Sequence, residues 1–159
     1  MKTSVPKSVL HSRPREHGSA AIELALVLPI LLVFLTFPIF YARCFWHYTA
    51  AQKAAQDAVR YLAAVPAAEM RSKKLAKAAA AIAVEIAQRE IAELAPGTEI
   101  DTPQAICDGA NCGSLPGIVP TKVRVLINFG MVDTFFGAVE TGRYGLQITA
   151  DATMRYVGN

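Results

Sequence analysis

The run GSAAIELALVLPILLVFLTFPIFYA, Gly18–Ala42, decides how the rest of the chain must be read. From Leu24 to Ala42 it holds no charged residue, and about 20 apolar residues are enough for a helix to cross the hydrocarbon core of a bilayer. The run predicts a transmembrane helix over 19–42. Pro29 and Pro38 interrupt it, each removing a backbone donor, and mark two transmembrane kinks. Neighbouring groups in a membrane can satisfy the carbonyls such prolines release. Tyr41, Phe45, Trp46 and Tyr48, with Phe40, cluster at its far end, as aromatic side chains do at a membrane interface.

Upstream lies a polar leader, residues 1–18. Lys2, Lys7, Arg13 and Arg15 face one acid, Glu16, so the leader carries the whole formal net charge of +3 and the remainder is neutral. Basic residues before an apolar span place that side in the cytoplasm and send everything after Arg43 outward. A charge of this size and placement speaks for orientation and against nucleic-acid binding. At 53% hydrophobic and 18% charged residues the chain is too apolar for disorder.

Downstream the period changes twice. Residues 43–95 read as a helical stalk in two pieces, rich in alanine, the best helix former. Phe45, Tyr48, Ala55, Val59 and Leu62 recur at helical spacing and predict one buried face. Pro66 opens a second helix with Leu75, Ala79, Ile82 and Ile86 on one side and Lys74, Lys77, Glu85 and Arg89 on the other. Pro96-Gly97 ends it. Residues 96–159 read as a small β-containing ectodomain. Strands are expected over Lys122–Phe129 and Tyr144–Tyr156, where apolar and polar residues alternate. A helical turn is expected around Phe135, Phe136 and Val139, and a Pro/Gly/Asp/Asn-rich loop over 103–120. The fold class is therefore α+β: a long N-terminal transmembrane helix, an alanine-rich helical region, then a small antiparallel sheet.

The junction Arg15-Glu16-His17-Gly18-Ser19-Ala20-Ala21-Ile22-Glu23-Leu24 holds the chemistry. A carboxylate beside an apolar span costs about 2.5–3.5 kcal/mol at a helix centre, and less at its edge. Glu23 either lies among headgroups or has a cationic partner in an assembly. A basic leader, a glycine, four residues, a glutamate and a long apolar helix resemble the class III signal of type IV pilins and pseudopilins. The stretch Gly18–Pro29 and the later Ala54-Ala55-Gln56-Asp57-Ala58-Val59-Arg60-Tyr61 resemble the TadE-like family, minor pseudopilins of tight adherence (Flp, type IVc) pilus systems. Leu24 stands where that family usually has phenylalanine. The resemblance implies cutting by a prepilin peptidase after Gly18, so that Ser19 becomes the new N-terminus and its amine can pair with Glu23 of a neighbouring subunit. Glycine at the cut leaves an extended backbone open to a protease.

The resemblance implies a structural subunit taking part in pilus assembly. It implies a single-pass bacterial inner-membrane protein with a cytoplasmic N-terminus and a periplasmic C-terminal domain, open to incorporation into an extracellular pilus. Its partners would be the prepilin peptidase, other pilins and pseudopilins, the inner-membrane assembly platform and the lipid bilayer, with no nucleic acid. An uncleaved single-pass envelope or secretion-complex component, and a secreted binding module, are the alternatives. No catalytic set, phosphate-binding glycine loop or metal cluster is visible in the sequence, so no enzyme activity, cofactor or metal is expected. Cys107 and Cys112, as Cys-Asp-Gly-Ala-Asn-Cys, suit a disulfide in an outward-facing domain, with a reduced pair as the alternative. Two thiols without nearby histidines are too few for a closed zinc site. Cys44 reads as a small buried residue, and His47 as a packing residue beside Trp46 at the membrane surface.

Overall fold

The computed structural model describes residues 17–94, 97–115, 117–133 and 145–158. The leader up to residue 16, Pro96 and the turn expected around Phe135, Phe136 and Val139 lie outside them. Two compact units divide at Leu35/Thr36. The first consists of the apolar beginning of helix α1 (His17–Ala64), whose assignment runs through Pro29 and Pro38. All of its described side chains are exposed.

The second unit, from Thr36, is α+β, as the sequence implied. It holds the rest of α1, a short α2 (Ala67–Arg71), α3 (Lys73–Ile91) and five antiparallel strands: β1 (Gly97–Ile100), β2 (Gln104–Cys107), β3 (Ala110–Asn111), β4 (Lys122–Met131) and β5 (Leu146–Arg155). β4 is central. β5 pairs along its whole length, from Lys122 opposite Arg155 to Met131 opposite Leu146. On its other edge β1 pairs near Met131 and β2 near Val123, end to end.

Alternation in β4 buries Val123, Val125, Ile127, Phe129 and Met131 on one face. Ala150 and Ala152 of β5 and Ala105 and Cys107 of β2 share that core. The opposite face is polar: Arg124 Nε lies 2.9 Å from Asp151 Oδ2, and Thr149 donates to Asn128 at 2.8 Å. Helix α1 and β5 run in the same direction along their contact. Gln52 donates to the Asp151 carbonyl at 2.7 Å, and the Val157 N–H donates to the Ala63 carbonyl at 3.0 Å.

Several expectations need correction. Of the face expected on α1, Ala55, Val59 and Leu62 are buried, but Phe45 and Tyr48 are exposed, and the buried side runs back instead through Ala51, His47, Cys44, Phe40 and Thr36. On α3 the buried face is Ala76, Ala79, Ala83, Ala87 and Ile91, while Leu75 and Ile82 stand 46% and 44% exposed. Apolar periodicity cannot separate a leucine face from an alanine face where small side chains let backbones pack closely. Pro66 caps the short α2, and Ser72 then breaks the chain before α3. The expected loop over 103–120 contains the β2–β3 hairpin. Of the strand expected over Tyr144–Tyr156, Tyr144 lies outside the described residues and β5 covers Leu146–Arg155.

Candidate membrane and processing segment

In the first unit the chemistry is that of a surface meant to be covered. Ile22, Leu24, Leu26–Leu28 and Ile30–Leu35 are exposed around the full circumference of the helix. A stably folded water-soluble helix would bury at least one side of such a sequence. The helix is long and apolar enough to cross a membrane. Glu23 lies exposed within it.

Gly18 sits in the first turn of α1, with open space where a Cβ would stand. Its backbone does not occupy the left-handed region. Glycine costs up to about 1 kcal/mol relative to alanine inside a helix, less at a frayed end. Neither packing nor backbone conformation therefore asks for glycine at 18. Ser19 follows it in the same turn. The structure thus places Gly18, Ser19 and Glu23 within two turns of one helix.

In the second unit, two devices are built of hydrogen bonds, one closing the end of α1 and one tying a hairpin to β4. At the end of the helix, the Tyr156 hydroxyl donates to the Val65 carbonyl and the Val157 N–H to the Ala63 carbonyl, satisfying acceptors that a helix terminus leaves open. Burial pushes the Tyr156 phenol up, with the charge of Glu69 adding to it, so it remains a donor. A Cβ at Gly158 would overlap the Val65 carbonyl and the Tyr156 ring, so that close approach needs glycine.

The second device is the β2–β3 hairpin. Asp108 and Gly109 turn it, both with positive φ (47° and 86°), as a two-residue hairpin turn of this hand requires. Cys107 and Cys112 are joined by a disulfide with a Cα–Cα distance of 4.9 Å. The Asp108 carboxylate accepts from the Thr121 N–H at 2.8 Å, the Thr121 hydroxyl at 2.7 Å and the Lys122 N–H at 2.9 Å. These bonds hold its carboxyl below the usual range, with Lys122 adding a smaller charge effect. Aspartate both tolerates the left-handed backbone and ties the turn to the start of β4.

Between α3 and α1 two carboxylates, Glu90 and Asp57, are neighbours. Partial desolvation raises the Glu90 carboxyl, the neighbouring charge of Asp57 raises it further, and Lys53 opposes the shift. On the outer face of α3, Arg89 and Glu85 pair at 2.6 Å in the expected i, i+4 order.

His47 is 2% exposed, inside the core and not at its surface. Its Nδ1 lies 2.8 Å from the Arg43 carbonyl. Cys44, one turn before it, is a buried free thiol. Among the described residues no group of three or more His, Cys, Asp or Glu is placed to hold a metal ion.

These parts describe a class: a chain with a bilayer-length apolar helix and a small α+β domain built on the helix's later turns. Residues 18–60 match the family model described as TadE-like protein. The match bears out the family resemblance, begins at Gly18 and covers α1 as far as Arg60, without reaching the sheet. No curated protein and no solved structure matches the chain.

Proposed function

We propose that this protein is a structural minor pseudopilin of a tight adherence (Flp, type IVc) pilus system. It is inserted in the bacterial inner membrane with its basic leader cytoplasmic and its domain periplasmic, and a prepilin peptidase cuts it after Gly18. The observation that carries this reading is the glycine itself. The family match begins there, yet nothing in the fold requires a glycine at that position. Glu23 supports the same reading: a carboxylate exposed on an apolar helix becomes favourable when a cation meets it. After cleavage the amine of Ser19 on a neighbouring subunit supplies that cation. The apolar surface of α1 then packs against other pilin and pseudopilin helices at the assembly platform. The role is structural, with no catalytic step.

Mass spectrometry of the chain recovered from a strain with active prepilin peptidase tests the cleavage. A mature N-terminus at Ser19 supports it, and a chain still beginning at Met1 overturns it in favour of an uncleaved envelope component. Gly18→Val, which the fold has room for, abolishes the cut while leaving membrane insertion intact. Glu23→Ala leaves cleavage and insertion intact and lowers pilus formation. Undiminished pili in that variant remove the proposed role of the carboxylate.

A further inference from the structure

The folded domain begins inside the apolar run, not after it. Thr36 and Phe40 are each 4% exposed and belong, with Cys44 and His47, to the buried side of α1 in the second unit. The first charged residue after Glu23 is Arg43. Counted from Leu24, the charge-free residues before Thr36 rise about 18 Å, and the whole stretch from Ser19, Glu23 included, about 26 Å, against a hydrocarbon core of about 30 Å. Tilting the helix only enlarges the shortfall. A bilayer crossed by this chain must therefore also take in the turns that carry Thr36 and Phe40.

The other sides of those turns fit that place. Phe37, Tyr41, Phe45 and Tyr48 recur every three or four residues along one flank of the buried stripe, and all are exposed. Ile39 and Trp46, seven apart, are exposed on the other flank, Trp46 at 61%. A single partner helix covers one narrow stripe. Apolar side chains on both flanks of a packed seam match a surrounding solvent of acyl chains. The order Phe37, Ile39, Tyr41 and then Phe45, Trp46, Tyr48 runs from purely apolar toward amphipathic rings suited to the headgroup level.

We infer that the α+β domain itself contacts lipid. The turns from Thr36 to about Ala42 lie within the leaflet on the domain side, packed against the protein core through Thr36 and Phe40 and facing acyl chains through Phe37, Ile39 and Tyr41. Phe45, Trp46 and Tyr48 form its collar at the headgroups. This rests on the membrane-anchored part of the reading above, and on neither cleavage nor pilus assembly.

Trp46 is the sole tryptophan of the chain, which makes the test direct. The full chain is reconstituted in phosphatidylcholine vesicles in which part of the lipid carries bromine either near the headgroup or near the acyl-chain end. Trp46 fluorescence is expected to be quenched more by the shallow bromines. In a Trp46→Phe background, Phe37→Trp and, independently, Ile39→Trp shift the preference toward the deep bromines. In all of these chains Cys44 stays protected from membrane-permeant N-ethylmaleimide until urea is added. Tryptophans at 37 and 39 that no bromolipid quenches place the domain clear of the bilayer and overturn the inference. Rapid labelling of Cys44 in vesicles overturns it too, because the turns then unpack on insertion. Quenching that disappears as the protein-to-lipid ratio rises assigns the surface to a second copy instead of lipid. A chain that alkaline carbonate strips from the vesicles refutes the anchoring itself, an outcome separate from these.

Discussion

The Tyr156 hydroxyl donates to the carbonyl of Val65, across 91 positions of sequence, where α1 has just ended. With the Val157 N–H on the Ala63 carbonyl, it closes the helix terminus with a strand extension in place of a local cap. Tyr156→Phe removes the donor and leaves a part-buried acceptor open, a loss of about 1 kcal/mol. Gly158→Val, which forces the extension off Val65, costs more than Tyr156→Phe. Urea titration of the detergent-solubilised chain, followed by circular dichroism, ranks the two. A Gly158→Val chain as stable as the parent contradicts the close approach.

Asp108 gives a pH dependence of known sign. Its carboxyl is held below the ordinary value of 3.8 by the bonds from Thr121 and Lys122. The stability those bonds add is fully present above that value and is lost as pH falls through the lower, folded one. Asp108→Ala costs about 1 kcal/mol at neutral pH, a discounted figure because the group is exposed. Asp108→Asn, which tolerates the same backbone, falls between. The gap between the melting curves of parent and Asp108→Ala should narrow in strong acid to the part due to turn conformation; a constant gap would show that the charged bonds carry none of it.

Glu90 has the opposite sign. Its carboxyl is raised above the ordinary 4.5 by desolvation and by Asp57. Stability tied to its protonated form is present below that value and is lost as pH rises through the folded one. Glu90→Gln keeps a side chain able to bond Asp57 and removes the repulsion, so the variant should be slightly more stable than the parent at neutral pH. That advantage shrinks in acid. The exposed position limits it to a few tenths of a kcal/mol, which paired thermal melts at two pH values resolve.

The alanine face of α3 predicts an asymmetry between neighbours. Ala83 is fully buried, and Ala83→Leu overfills the layer, costing about 1–3 kcal/mol. Ile82 is exposed, and Ile82→Ser changes stability by no more than about 0.5 kcal/mol. Equal effects in denaturant titration would mean that α3 uses the leucine–isoleucine side after all.

The long helix, the strands β4 and β5 and the α+β class were legible because each rests on a long periodic pattern. Leu24–Ala42 has no charge to break it, and Val123, Val125, Ile127 and Phe129 recur at every second position. The β2–β3 hairpin was not legible, because its strands are short and its turn residues look like any Gly- and Asp-rich loop. The Asp108-Gly109 pair between Cys107 and Ala110 was the signal that could have found it. The seam at Thr36 and Phe40 was hidden for a different reason. In a run that is apolar all round, no polar residue marks which side the protein keeps. The TadE-like segment that begins at Gly18 was readable from its residues and their spacing.

The closure of α1 by residues 156–158 has a consequence for the order of synthesis. The helix leaves the ribosome well before the strand that lies against it. Throughout that interval Phe40, Val59 and Leu62 lack their sheet, and the carbonyls of Ala63 and Val65 wait for Tyr156 and Val157. The uncovered helix must therefore be kept from its neighbours until β5 and residues 156–158 arrive.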